Sequence, residues 1–211
     1  MSSSRHKILS NLRSHQQPAS LPPKWQSSQP TTDLIDRYRT TLAQSKGESH
    51  LFPHLNSALG HLTSLLTTLN PQTIVYNHEP PLTTIPWPDR YPNYHWHNPL
   101  NHNRAQWRTL CSQADIGLTS ADAALAATGS LVLTSAPGRS RFVSLLPATH
   151  IVLLPTNRLT PDIFTWQASH DGHYPANTIL ISGPSKTADI EQTLVVGAHG
   201  PTRLIVLLYQ S

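Results

Sequence analysis

Five short runs of this chain are apolar without alternation: Thr73 to Tyr76, Ser130 to Leu133, Ile151 to Leu154, Thr178 to Ile181 and Leu204 to Leu208. A strand with one wet face alternates, whereas one covered on both faces reads as continuously apolar. Runs this short, bounded by Gly and Pro, are buried strands. Helical patterns separate several of them, near 31–46, 55–69, 105–114 and 159–168. The fold class that follows is α/β, a three-layer α/β/α arrangement around a mainly parallel mixed sheet. Two strands packed closely into the 115–134 block imply a local antiparallel excursion.

With 211 residues the chain can bury a real core. Charged residues are only 12% of it, against 19 Pro and 13 His, and the formal charge of +4 is spread without a dense Lys/Arg run. No dedicated nucleic-acid surface is indicated, and no nucleic-acid partner is expected. No segment reaches the roughly 20 apolar residues that span a bilayer, and the N-terminus lacks a signal-peptide core, so the expectation is no membrane partner and a cytoplasmic location. A single cysteine, Cys111, permits neither an intrachain disulfide nor an all-cysteine metal site, and no cofactor is expected within this chain. Residues 1–32, a short helix followed by a Ser/Gln/Pro-rich stretch, form an N-terminal helix and flexible linker. Residues 33–211 form the α/β domain.

The stretch Gly183-Pro184-Ser185-Lys186-Thr187-Ala188-Asp189-Ile190-Glu191, running to Gly197-Ala198-His199-Gly200-Pro201, lies between two of the apolar runs. Ile190, Leu194, Gly197 and Ala198 have the spacing of one helix face, which gives strand, polar loop, helix, strand. In such a crossover the loop sits at the carboxyl end of the first strand, where open α/β sheets bind ligands. Two readings fit. In one, Ser185 or Thr187 caps the helix, with Asp189 and Glu191 in its first turn. In the other, Gly183, Ser185, Thr187 and Lys186 form an anion or acyl-ligand site, Lys186 orienting the ligand and Asp189 or Glu191 acting on it. Lys186→Ala is then expected to remove ligand binding with little loss of stability. His199 is either a proton-transfer group or a helix cap. Thr128-Gly129-Ser130, just ahead of an apolar run, is either a plain turn or a second place where backbone approaches a ligand.

The irregular segment from Asn77 to Arg104 is dense in Pro, aromatics and histidine. His95, His97 and His102 resemble metal ligands in spacing, but carboxylate and thiolate partners are sparse and no metal site is expected. A surface loop burying Trp87 and Trp96, able to serve as a lid or docking face, is the better account.

Four blocks in order, Ala121 to Leu133, Ser144 to Ile151, Gly183 to Glu191 and Gly197 to Pro201, resemble the lactate-utilisation protein C (LutC/YkgG) family, the LUD domain. The resemblance covers about 110–211. It implies a NagB/RpiA/CoA-transferase-like fold and a role in oxidising L-lactate to pyruvate beside iron–sulfur partner subunits, with this chain as the non-cluster subunit. It departs from the family at Ala127, where an acidic residue commonly precedes the Thr-Gly pair. Alanine cannot accept an acyl group, so covalent transfer from that position is excluded unless Asp122 or Glu191 substitutes. The alternative is a free-standing enzyme or binding protein for a small organic acid, CoA ester or phosphate ligand. A pure interaction module docking through the His/Trp loop is a third class.

Overall fold

The computed structural model describes residues 2–14, 27–169, 175–188, 194–196 and 200–210. In chain order the elements that matter are α1 (Ser2–Ser14), α2 (Leu34–Gln44), β1 (Glu48–Phe52), α3 (Leu55–Leu69), β2 (Thr73–Tyr76), α4 (Trp87–Arg90), β3 (His95–His97), α5 (Arg104–Gln113), β4 (Ile116–Thr119), β5 (Ala123–Leu125) and β6 (Ser130–Thr134). They continue as α6 (Phe142–Leu145), β7 (Thr149–Pro155), β8 (Leu159–Thr160), α7 (Ile163–Ala168), β9 (Thr178–Ile181), β10 (Lys186–Ala188), β11 (Leu194–Val196) and β12 (Arg203–Tyr209).

Six strands form one sheet in the order β1-β12-β7-β4-β2-β3, and every neighbouring pair is parallel. Polar ties fix its amino-terminal edge. The Asp115 carboxylate accepts the backbone N–H groups of Gln72 and Thr73, and Arg203 grips Glu48 with two bonds of 2.6 and 2.7 Å. The helices start and stop where local chemistry directs. His54 accepts the Ser57 N–H ahead of α3, left-handed Asn70 and Pro71 end it, and Asn103 with Gln106 makes a capping box on α5.

Both faces of the sheet are covered. On one, Leu59, Leu62 and Leu66 of α3 meet Ile74, Ile151 and Ile205, and the group extends to Trp87, stacked on Trp96 with ring centroids 4.7 Å apart. On the other, Tyr38 and Leu42 of α2 share a cluster with Val152, Leu154, Val206 and Leu208, while Trp107, Cys111 and Val143 cover Val75. Each such aliphatic side chain contributes about 1.5–3 kcal/mol on burial. These contacts bear out the α/β class with helices on both faces.

Several sequence expectations change. The runs at 130–133 and 178–181 are not in the parallel sheet. They are β6 and β9, antiparallel neighbours in a second sheet ordered β8-β5-β6-β9 that packs against the first. The apolar composition of β9 did not mean two-sided cover, since Leu180 is 52% exposed. The helix expected across 190–198 is contradicted where it is described: Leu194–Val196 is a strand pairing antiparallel with Lys186–Ala188. Thr187, Val195 and Val196 are β-branched, which favours that outcome. A continuous helix over 159–168 is prevented by Pro161. The chain makes β8 first, and Asp162 then caps α7 by accepting the Thr165 N–H at 2.8 Å. The 15–26 part of the expected linker lies outside the described residues.

Candidate functional site

The turn at 182–185 follows β9, and the Ser185 N–H donates to Pro201 O at 2.8 Å, just ahead of β12. The turn therefore sits at the amino-terminal end of the parallel sheet, which corrects the expected carboxyl-end placement. Beside it lies a cavity of about 220 Å³ whose polar lining is Ser144, His150, Ser182 and Ser185. His150 enters from β7. Its Nε2 lies 2.8 Å from Thr119 Oγ1 on adjacent β4, while Nδ1 is buried without a partner among the described residues. Complete burial pushes the imidazole pKa down to about 3, so the ring is neutral. A neutral imidazole with one committed nitrogen can offer the other to a guest as donor or acceptor.

A hydroxyl chain leads away from the same cavity. Thr128 Oγ1 is 2.7 Å from Ser130 Oγ, which is 2.7 Å from Ser182 Oγ. The β6–β9 ladder sets this contact, since Leu131 pairs with Ile181 one step earlier. The two turns singled out in the sequence, around 129 and 185, are thus brought together through Ser130 and Ser182.

The glycines and the lysine of those turns face a different neighbour. Gly129 has φ +64°, and a Cβ there would lie 2.4 Å from Leu42 N of α2. A Cβ on Gly183 would lie 2.5 Å from Ser45 O. Lys186 Nζ donates to that same Ser45 carbonyl at 2.8 Å, at the C-terminus of α2, and is not part of the cavity lining. A cation there satisfies a free helix-end carbonyl. Thr187 lies in β10, so neither it nor Ser185 caps a helix there. Asp189, Glu191 and His199 lie outside the described residues.

At the opposite, carboxyl-terminal edge of the sheet the chain holds a charged cluster that sequence reasoning did not single out. Buried Glu79 lies 2.8 Å from Arg139 Nε, and its other oxygen accepts the Ser120 N–H at 3.0 Å. Arg139 also reaches Asp122 at 2.6 Å, and Asp122 accepts both the N–H and the hydroxyl of Thr134. Arg158 donates to Ser120 Oγ and to Ala121 O. All three of the Asp122 contacts fall on the same oxygen, Oδ2. A signal was available: Asn77 and Glu79 follow directly on strand β2, where α/β sheets concentrate their chemistry.

Of the histidines in the 77–104 segment, His102 stacks on Trp107 with centroids 5.5 Å apart, and His97 lies 6.0 Å from His102. Among the described residues no three His, Cys, Asp or Glu side chains are placed to hold a metal ion. No described helix is long and apolar enough to cross a membrane.

A fully parallel six-stranded sheet, a second, mixed sheet on one face and a cavity at their junction define an α/β protein. The chain belongs to the LUD domain family, whose family model matches residues 82–209. It is 46% identical over 108 residues to lactate utilization protein C of an Exiguobacterium species, covering 48% of this chain and 46% of that one. To lactate utilization protein C of Bacillus subtilis it is 38% identical over 102 residues, covering 46% and 42%. The chain thus spans under half the length of these curated relatives. A crystal structure of a DUF162 family protein from Deinococcus radiodurans shares the fold, with a TM-score of 0.52 at 15% identity over 84% of this chain and 96% of that one.

Proposed function

We propose that this chain is a lactate-utilisation subunit, the non-cluster member or accessory of an iron–sulfur system that oxidises L-lactate to pyruvate. The observation that carries this reading is the pairing of relatives named lactate utilization protein C with a chain that has a single thiol. Lactate oxidation releases two electrons and two protons, and the electrons need an acceptor. Thiolate-held clusters take several cysteines. Cys111 is alone, buried beside Trp107 and Val143, and burial pushes its thiol up to about 12. Cluster chemistry on this reading belongs to partner subunits, and this chain contributes binding surface and a ligand pocket. The test is genetic: deleting the gene in its host is expected to abolish growth on L-lactate but not on pyruvate, and the intact gene is expected to restore it. Normal growth of the deletion strain on L-lactate would overturn the reading.

A second reading is favoured by the cavity at His150. A pocket lined by a histidine whose Nδ1 has no partner among the described residues suits a free-standing binder of a small acid, CoA ester or phosphate compound. It requires that the purified chain alone be stabilised by such a compound. A ligand at a hundred times its Kd adds about 2.7 kcal/mol, visible as a rise in Tm.

A further inference from the structure

A second cleft, separate from the His150 cavity, carries the opposite character. It encloses about 600 Å³ between the start of α5, the 135–142 loop and Ala176-Asn177, and three arginines line it: Arg104, Arg139 and Arg141. Among the described residues that line it there is no carboxylate. Arg139 is held from behind by Glu79 and Asp122, which makes it a fixed wall of the cleft. Arg104 and Arg141 are exposed and have no carboxylate partner among the described residues. Arg104 is also the first residue of α5, so the positive end of that ten-residue helix lies at the same place.

Independent of charge, Trp107 lines the cleft and is only 3% exposed, and its indole N–H, itself buried, has no acceptor among the described residues. Buried donors in folded proteins are nearly always paired, and one left unpaired on a residue that lines a cleft marks a place for an acceptor. His102 stacked on the Trp107 ring fixes the ring plane. Phe142 supplies an apolar wall continuous with a second groove that also contains Arg104, Arg108 and Leu145.

We infer that this cleft is a binding site for the oxyanion head of a small organic acid, a carboxylate or a phosphate. Arg104 and Arg141 grip the head, the Trp107 indole N–H donates to it, and Phe142 covers the organic part. Guanidinium forks match both head groups, and Arg139, already oriented by its carboxylates, completes the positive wall. The site does not depend on which acid the protein serves, so it stands or falls apart from the lactate reading.

Titrating the full-length protein with pyruvate and, separately, with inorganic phosphate tests the assignment, using calorimetry for affinity and the Trp107 indole N–H resonance, assigned through Trp107→Phe, as reporter. Sodium chloride at matched ionic strength is the control. At least one probe is expected to bind saturably with a Kd of roughly millimolar or below, moving the Trp107 resonance. Whichever binds more tightly identifies the head group. The double variant Arg104→Ala/Arg141→Ala alters only exposed side chains and is expected to weaken that binding about tenfold or more, each lost charge-assisted bond contributing. Failure of both probes to bind beyond the chloride control, unchanged affinity in the double variant, or a Trp107 resonance that stays still at saturation would each overturn it.

Discussion

His150 and Thr119 stand on adjacent parallel strands with Nε2 2.8 Å from Oγ1, the imidazole fully buried and neutral. Burial lowers the folded-state pKa from 6.5 to about 3, so the unfolded chain takes up this proton at a pH where the folded chain refuses it. The contribution to stability is whole above pH 6.5 and is lost as pH falls toward 3. Between pH 7 and 5 one such proton is worth about 2 kcal/mol. His150→Gln is expected to reduce the drop in urea-unfolding free energy between those two pH values by about that amount. An identical drop in the variant would show that His150 is not held neutral.

Arg139 and Glu79 form the next pair to test. Arg139→Ala leaves buried Glu79 beside Asp122 with no counter-charge, and the expected loss is about 3–5 kcal/mol in urea unfolding. Replacing both partners with apolar or neutral groups, Glu79→Gln with Arg139→Met, is expected to recover much of that loss. A mild effect of Arg139→Ala alone would contradict the assigned pairing.

Two glycines give opposite outcomes. Gly129→Ala puts a Cβ 2.4 Å from Leu42 N at a φ of +64°, and is expected to cost more than about 2 kcal/mol. Gly60→Ala meets nothing within 4 Å on the exposed side of α3 and is expected to stabilise by about 0.5–1 kcal/mol. Thermal unfolding of both variants checks the contact between α2 and the 128–130 turn.

Lys186 separates the two roles weighed for it. Its bond to Ser45 O is a solvent-exposed helix-end contact, so Lys186→Met is expected to cost less than about 1 kcal/mol. If Lys186 also orients a ligand, the same variant loses affinity in the thermal-shift assay while remaining folded; if capping is its whole role, affinity is unchanged.

Much of the scaffold was legible because its signals are local. The 55–69 pattern with Asn70-Pro71 behind it gave α3 to the residue, and the runs at 73–76, 151–154 and 204–208 gave the middle of the parallel sheet. The edge strand Glu48–Phe52 was missed because an edge strand need not be greasy; its Glu, Ser and His are held by pairing with β12 and by Arg203. Assigning 178–181 to the same sheet failed for a converse reason, since four apolar residues do not reveal which sheet they join. At the candidate site the nearness of Ser130 to Ser182 followed from two turns noticed separately. The partnership of Glu79 with Arg139 joins residues 60 apart in the sequence and depends on tertiary folding that no local pattern encodes.

The most direct measurement is purification of the tagged chain from its host grown on L-lactate, followed by iron and sulfide analysis and an assay of lactate-dependent electron transfer. The expected result is co-purification of iron–sulfur proteins, with cluster absorption and lactate oxidation in the assembly and neither in the chain alone. A chain that emerges free of iron-bearing partners, from cells that are oxidising lactate, would contradict the account.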